Sequence, residues 1–353
     1  MIETFTSLGK FLRQFAEQRK DESPDLASLN KHHYDGFKEL IASEYIHNPW
    51  FTEEFVLRAI HGISLMLDRE ILSRWLDPYK DLLRPSGKQA TVGLVMAGNI
   101  PLVGFHDFMC VLAAGHNVLA RPSSRDDRLV RAIADVLTQL DPSLQPRIRL
   151  TGEYLRGVDA VIATGSDNSS RYFDYYFRNV PHIIRKNRNG IAVLTGNESR
   201  EEMERIGDDI FTYFGLGCRN VTKLYIPGSF EIPLLMEALD KYGYLYQHHK
   251  YGNNVDYHRT IYLMNRIPFL DNGVLLVRED PDIASPVGVV YYERYSDIER
   301  VHEVLESRSH EIQCCVSVHT ALPHAIMPGT TQEPMPWDYA DGIDTIRFLT
   351  ELH

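Results

Sequence analysis

The chain has 353 residues, enough to bury one large core or two. Hydrophobic residues make up 44% and charged residues 24%, the proportions of an ordinary globular protein. The formal net charge is −11 with the basic residues scattered, which gives no sign of a nucleic-acid surface, and no apolar run approaches the ~20 residues that span a bilayer.

Residues 1–88 read as helical, with apolar residues at three-to-four spacing over Thr4 to Ala16 and Phe51 to Trp75. Arg84-Pro85-Ser86-Gly87-Lys88 then punctuates the chain. Thr91 to Ala97 is a short apolar run bounded by turn residues, as a buried parallel strand is. Gly98-Asn99-Ile100-Pro101 ends it, and Pro101 suits the first turn of a helix closed by Gly115. His116 to Ala120, Arg147 to Leu150, Val158 to Ala163 and His182 to Lys186 are further strands. Helices fill Asp126 to Leu140 and the stretch from the Thr164-Gly165-Ser166-Asp167 turn to Phe177. This alternation predicts a parallel sheet with helices on both faces. A second α/β unit follows. Its strands are expected at Ile191 to Thr195, Val221 to Ile226, Val274 to Val277, Val287 to Tyr292 and Ile312 to Val318. Its helices are expected at Ser199 to Phe214, Glu231 to Tyr242 and Ser296 to Ser307, and Ser199 with Glu202 has the spacing of a capping box. Tyr244 to Asp271, rich in aromatic, His and Asn residues, has no clear period. The expected organisation is a helical region over 1–88, a first α/β domain over 89–189, a second over 190–320 and a tail over 321–353.

Residues 1–30 carry no signal-peptide core, and four cysteines without framework spacing fit a reducing cytoplasm. Neither a Cys-x-x-Cys pair nor metal-motif His spacing occurs, so no metal is expected. Of Cys110, Cys218, Cys314 and Cys315, Cys218 alone follows a Gly-x-Gly turn and precedes a basic residue, in Gly215-Leu216-Gly217-Cys218-Arg219. Glycines let a substrate approach the backbone, and a nearby cation favours the nucleophilic thiolate. The other reading of this cysteine is a small buried side chain at a helix-to-strand junction.

In a doubly wound sheet, ligands bind at the carboxyl ends of the strands. Asn99, Arg121-Pro122-Ser123-Ser124 and Thr164-Gly165-Ser166 each stand at such an end. Each alone is ordinary strand-to-helix punctuation, and no Gly-x-Gly-x-x-Gly fingerprint follows the first strand. Taken together with the Gly-x-Gly-Cys turn, their order resembles the aldehyde dehydrogenase superfamily. Gly98-Asn99-Ile100-Pro101 is similar to its Trp-Asn-Phe-Pro stretch, Arg121-Pro122-Ser123-Ser124 to Lys-Pro-Ser-Glu, Ala163-Thr164-Gly165-Ser166 to Phe-Thr-Gly-Ser. Cys218-Arg219-Asn220-Val221-Thr222-Lys223 is similar to Cys-x-Ala-Gly-Thr-Arg around the nucleophile. Ser285-Pro286-Val287 resembles the end of the Glu-x-Phe-Gly-Pro-Val segment. The resemblance spans roughly residues 90–320, and within it the chain is most similar to the fatty acyl-CoA reductases of the LuxC type, though shorter at the N-terminus than most of them.

The resemblance implies an aldehyde-dehydrogenase-like α/β fold with two doubly wound domains, 89–189 binding the coenzyme and 190–320 carrying the catalytic Cys218, and a 321–353 tail that returns to the coenzyme domain or a neighbouring subunit. It implies an NADPH- or NADH-dependent acyl-CoA reductase acting on a long-chain fatty acyl thioester, and at least a homodimer. It gives Cys218 as nucleophile and Asn99 as oxyanion donor. Arg121, Ser123, Ser124, Thr164, Gly165, Ser166 and Asp282 become coenzyme contacts, with Asp282 in place of a glutamate on the nicotinamide ribose. Hydrolytic members carry a water-activating glutamate in Glu-Leu-Gly-Gly-Lys, and here the matching position is Arg185. Arg185, Lys186 and Arg188 then read either as contacts to coenzyme A phosphates or as a solvated basic turn. Two alternatives stay open: an acyl-phosphate reductase of the same fold, and a non-catalytic assembly protein that keeps it.

Overall fold

The computed structural model describes residues 1–83, 89–165, 167–319, 322 and 324–352, the side chains of 167–169 excepted. The 84–88 turn and Ser166, both singled out above, lie outside the described residues. The chain forms two compact units, one of residues 1–187 and 333–353, the other of 188–332.

The first unit begins with helices α1 (Ile2–Ala16), α2 (Pro24–Leu29), α3 (Asp35–His47), α4 (Glu53–Met66) and α5 (Arg69–Leu76). The stretch of helical apolar spacing from Phe51 to Trp75 is divided at Asp68, whose carboxylate caps α5 by accepting from the Glu70 N–H at 2.9 Å. The sheet then alternates with helices: β1 (Thr91–Val95), α6 (Phe105–Ala113), β2 (Asn117–Arg121), α7 (Asp127–Leu140), β3 (Ile148–Leu150), β4 (Ala160–Thr164), α8 (Asp167–Phe177) and β5 (His182–Arg185). All pairings are parallel and the order is β3-β2-β1-β4-β5, so the strand order reverses between β1 and β4. At such a reversal the two adjoining turns diverge and leave a crevice. Gly115, at φ +86°, ends α6 in the left-handed conformation that glycine tolerates, with His116 N–H donating back to the Val111 carbonyl at 3.1 Å. Phe5, Phe11, Trp75, Phe108 and Leu129 lie in one core, joined by Ile346 and Leu349 of the short helix α13 (Thr345–Thr350).

The second unit carries β6 (Asn189–Val193), α9 (Arg200–Phe211), β7 (Val221–Pro227), α10 (Ile232–Ala238), α11 (His249–Met264), β8 (Leu270–Asp271), β9 (Leu276–Glu279), β10 (Val289–Tyr295), α12 (Ile298–Ser307) and β11 (Ile312–Val316). Its sheet order is β11-β6-β7-β10-β9-β8, parallel except for the short edge pair β8 and β9. The stretch without a clear period, 244–271, resolves into a 3₁₀ turn, α11 and β8. Among the described residues no helix is long and apolar enough to cross a membrane.

Candidate functional site

In the first unit, the turns after β1 and β2 are packed tightly together. A Cβ on Gly98 would stand 2.6 Å from Ser123 Oγ and 2.7 Å from Ser123 Cβ, so only glycine fits. The helix expected from Pro101 starts at Phe105 instead. Leu102 takes φ +58°, and its N–H donates at 2.6 Å to Asp126, a carboxyl buried ahead of α7. Burial pushes the Asp126 carboxyl well above the ordinary range, the Leu102 hydrogen bond opposing it. Asn99 is thereby held, half-buried, on a turn whose backbone is fixed at both ends.

Arg121 closes β2, its guanidinium over the Tyr154 ring at 5.0 Å from the centroid. Ser123 Oγ accepts from the Arg125 N–H at 3.3 Å, and Ser124 is exposed. Thr164 ends β4 on the other side of the strand-order reversal, and Gly165 follows it into α8. Asn99, Arg121, Ser123, Thr164 and Gly165 are thus brought to one edge of one sheet. That set of a guanidinium, hydroxyls and a glycine-containing helix entry suits the phosphates and ribose of a dinucleotide.

Arg185 is neither a solvated residue nor a ligand contact. It is 4% exposed, and its guanidinium grips Asp107 on α6 at 2.6 and 3.1 Å. Its other donors meet the Ala340 carbonyl at 2.6 Å and Thr345 Oγ1 at 2.9 Å. The pair holds the Asp107 carboxyl below its usual value although desolvation pushes it the other way. Arg188, in the second unit, donates to the carbonyls of Ser309 and Ile312.

In the second unit, α9 ends in an unusual way. Tyr213, Phe214 and Gly215 take φ values of +56°, +57° and +75° in succession. Two non-glycine residues there cost roughly 1–2 kcal/mol each. Burial of both rings holds them, Phe214 packing on His248 and Tyr251 with centroids 4.3 and 5.6 Å away. The reversal delivers Leu216 to Asn220 as a turn in front of β7. The ladder between β6 and β7 slips by one residue here, Gly190 pairing with Val221 but Ile191 with Lys223. Thr222, the extra residue, donates to the Ile283 carbonyl at 2.7 Å. Lys223 is fully buried and donates to Glu293 at 2.6 Å and to the Asp280 carbonyl. Burial lowers its affinity for the proton, which Glu293 partly restores. These two side chains fasten the segment of Asp282 to β7; Asp282 itself is exposed, its N–H donating to Asp280 at 3.0 Å.

Cys218 lies half-buried on the turn. Cys314, on β11, places its sulfur 3.6 Å from the Arg219 carbonyl. Burial pushes the thiols of Cys314 and Cys315 up to about 12 and that of Cys110 well above its ordinary value, so those three stay protonated at neutral pH. Arg219 Nε donates to the Thr331 carbonyl at 2.7 Å. Asp209, on the buried stripe of α9 with Ile206 and Ile210, accepts from the N–H groups of Gly329 at 2.7 Å and Thr331 at 3.0 Å. Asn220 and Asp209 had no assigned role in the sequence. The signal for Asp209 was an acid at an apolar-stripe position, and for Asn220 a short carboxamide in a glycine-rich turn, where it competes for backbone groups.

Solved structures share this architecture. The chain is similar to the indole-3-acetaldehyde dehydrogenase AldA of P. syringae, determined with NAD+, with a TM-score of 0.63 over 92% of this chain and 73% of that one, at 12% identity. The chain has the aldehyde dehydrogenase fold. The aldehyde dehydrogenase KauB of Pseudomonas aeruginosa matches with a TM-score of 0.62 at 13% identity, over 91% and 72% of the two chains. Aldehyde dehydrogenase 21 of Physcomitrella patens, in complex with succinate, matches with a TM-score of 0.63 at 11% identity, over 98% and 84%. No family model and no curated protein matches the sequence. Within the aldehyde dehydrogenase fold, the two doubly wound sheets carry the two sets of side chains described above, Asn99 to Gly165 on one and Cys218 and Asp282 on the other.

Proposed function

We propose that the protein is an oxidoreductase of the aldehyde/acyl level that reduces an acyl-CoA to an aldehyde through a thioester on Cys218, using NADPH or NADH. The observation that carries this reading is the Cys218 turn: the cysteine sits half-buried on a turn between the left-handed run Tyr213 to Gly215 and β7, while burial keeps the other three protonated. That NAD+ is present in the solved P. syringae relative of the fold supports the nicotinamide assignment.

In this reading the Cys218 thiolate attacks the thioester carbonyl, forming a carbon–sulfur bond and a tetrahedral oxyanion. The Asn99 carboxamide and the Cys218 N–H stabilise that charge, one such donor being worth about 3 kcal/mol in the transition state. Collapse expels the carrier thiolate and leaves the acyl group on Cys218. A bound reduced nicotinamide would supply the hydride. The resulting thiohemiacetal on Cys218 releases the aldehyde and returns the thiolate. Arg121 is assigned to the adenosine ribose or its 2′-phosphate, with Ser123, Ser124, Thr164, Gly165 and Ser166 alongside, and Asp282 to the nicotinamide ribose.

Arg185 supports reduction over hydrolysis. It occupies the position matched to the water-activating glutamate of hydrolytic members, and its guanidinium is committed to Asp107, Ala340 and Thr345. A guanidinium in that network cannot take a proton from water. The test is coenzyme oxidation, followed by absorbance, across acyl-CoA chain lengths. Activity is expected to vanish in Cys218→Ser and to fall by 10²-fold or so in Asn99→Ala. A Cys218→Ser protein that reduces acyl-CoA at the wild-type rate would refute the reading.

A further inference from the structure

The residue two places after Cys218 is not used by the chemistry above. Where the Cys-x-Ala pattern quoted earlier has alanine, this chain has Asn220, and it is wholly buried. Its Oδ1 accepts from the Gly217 N–H at 2.8 Å, one residue before the nucleophile. Its Nδ2 donates to the carbonyls of Asp209 at 2.9 Å and Thr212 at 2.8 Å, with the Ile210 carbonyl at 3.4 Å. These are carbonyls at the end of α9, where a helix runs out of its own donors. One carboxamide, with its acceptor and donors all engaged, therefore joins the end of α9 to the nucleophile turn.

The backbone around it is equally constrained. The Asn220 N–H closes the turn on the Gly217 carbonyl at 3.1 Å, and the Asn220 carbonyl accepts from the Gly190 N–H on β6 at 2.9 Å. Gly190 leaves the room this needs: a Cβ there would stand 2.5 Å from the Arg219 carbonyl oxygen and 2.8 Å from that of Asn220. The turn is thus fixed against α9 through a side chain and against β6 through the main chain.

Resting on the reading of Cys218 as nucleophile, we infer that Asn220 is a positioning residue, whose carboxamide sets the Gly217-Cys218 peptide so that the thiol and the Cys218 N–H address the same carbonyl carbon and oxygen. It touches neither substrate nor coenzyme. Its loss leaves substrate binding in place and misaims the attacking sulfur, and a displacement of about 1 Å in such a group costs on the order of 10² in rate.

The experiment measures kcat and KM with hexadecanoyl-CoA and NADPH for the wild type, Asn220→Ala, Asn220→Asp and Cys218→Ser. Asn220→Ala is expected to lower kcat about 100-fold with KM for the acyl-CoA within threefold, the pattern of a lost transition-state alignment. Asn220→Asp adds a pH readout. Protonated, its carboxyl can still accept from Gly217 N–H and donate to a helix-end carbonyl. Ionised, it faces those carbonyls with Asp209, Arg219, Cys218 and Cys314 around it, so its activity relative to the wild type is expected to fall as pH rises. An Asn220→Ala kcat within threefold of the wild type, with Cys218→Ser inactive, would overturn this inference and leave the proposed function standing. A wild-type rate in Cys218→Ser would overturn both. Should Asn220→Ala fail to fold, the Asn220→Asp profile decides, and running parallel to the wild type it would overturn the inference. Amide exchange on the wild type is a second check: Gly217 is expected to be protected, and exchange at the rate of an open turn would count against Asn220.

Discussion

Asp209 holds two backbone N–H groups from a segment 120 residues downstream, and it does so from a position 1% exposed to solvent. Burial raises its carboxyl from 3.8 to about 6, the hydrogen bonds from Gly329 and Thr331 opposing the rise. Between about pH 4 and pH 6, then, the folded protein keeps a proton that the unfolded chain has already released. Unfolding in that window releases a proton, so raising the pH favours it, and this group's contribution to stability falls as pH climbs from 4 to 6. A rise of two units corresponds to about 3 kcal/mol. Asp209→Asn removes the titration, so the difference in melting temperature between wild type and variant should shift against the wild type from pH 4.5 to pH 7. A difference that stays constant across that range would remove the assigned role of burial at this site. At this scale the sequence was readable where a residue's role is written in its neighbours. The glycines beside Cys218 announced the turn on which the structure places it. Asp209 and Asn220 were not readable because their partners come from distant segments, and Arg185 was misjudged because nothing near it in the chain announces Asp107 or Thr345.

Helix α9 is the element on which the Cys218 turn is hung, and its start is as well defined as its end. Ser199 Oγ accepts from the Glu202 N–H at 3.2 Å, and Glu202 accepts in return from the Ser199 N–H at 2.8 Å, the reciprocal pair read from the sequence. Those bonds hold the Glu202 carboxyl below its ordinary value. Ser199→Ala should cost about 1 kcal/mol, read as a lower melting temperature, whereas Arg200→Ala, which removes an exposed ion pair with Glu204, should change it by far less. Equal shifts in the two variants would argue against the cap. Elements with such local signals were legible: apart from the short antiparallel edge strand β8, the strands of both sheets fall within a few residues of their expected bounds, and the parallel order follows from their alternation with helices. What failed was governed by tertiary partners. The helix expected at Pro101 is displaced to Phe105 because Asp126 captures the Leu102 N–H. The 244–271 stretch hid α11 because its buried face is built from Tyr251, Gly252, Val255 and Tyr262, a stripe too polar to read as a core.

At the scale of the whole chain, the first unit is discontinuous: residues 333–353 return to it after the second unit is complete. That return completes the core. Ile346 and Leu349 are fully buried with the side chains of the N-terminal helices and the sheet, and each is worth about 2 kcal/mol in apolar burial. Tyr339 accepts from Trp75 Nε1 at 2.8 Å, Asp344 accepts from the Tyr79 hydroxyl at 2.8 Å, and the Leu349 carbonyl meets His116 Nε2 at 2.9 Å. Most consequential is Arg185, whose buried pair with Asp107 is completed by Ala340 and Thr345. A buried ion pair holds only while its remaining donors are satisfied, and stripping partners from one costs several kcal/mol. A chain ending at residue 332 should therefore lose a large part of the 5–15 kcal/mol that a domain has in total. The expected outcome is an insoluble product, or a first thermal transition lowered by roughly 10 °C or more, taking 2–4 °C per kcal/mol for a unit of this size. Adding the 333–353 peptide in trans should raise that transition again, and a peptide carrying Ile346→Ala and Leu349→Ala should do so far less. A truncated chain that melts within about 2 °C of the full one would mean that the 1–187 segment closes its own core.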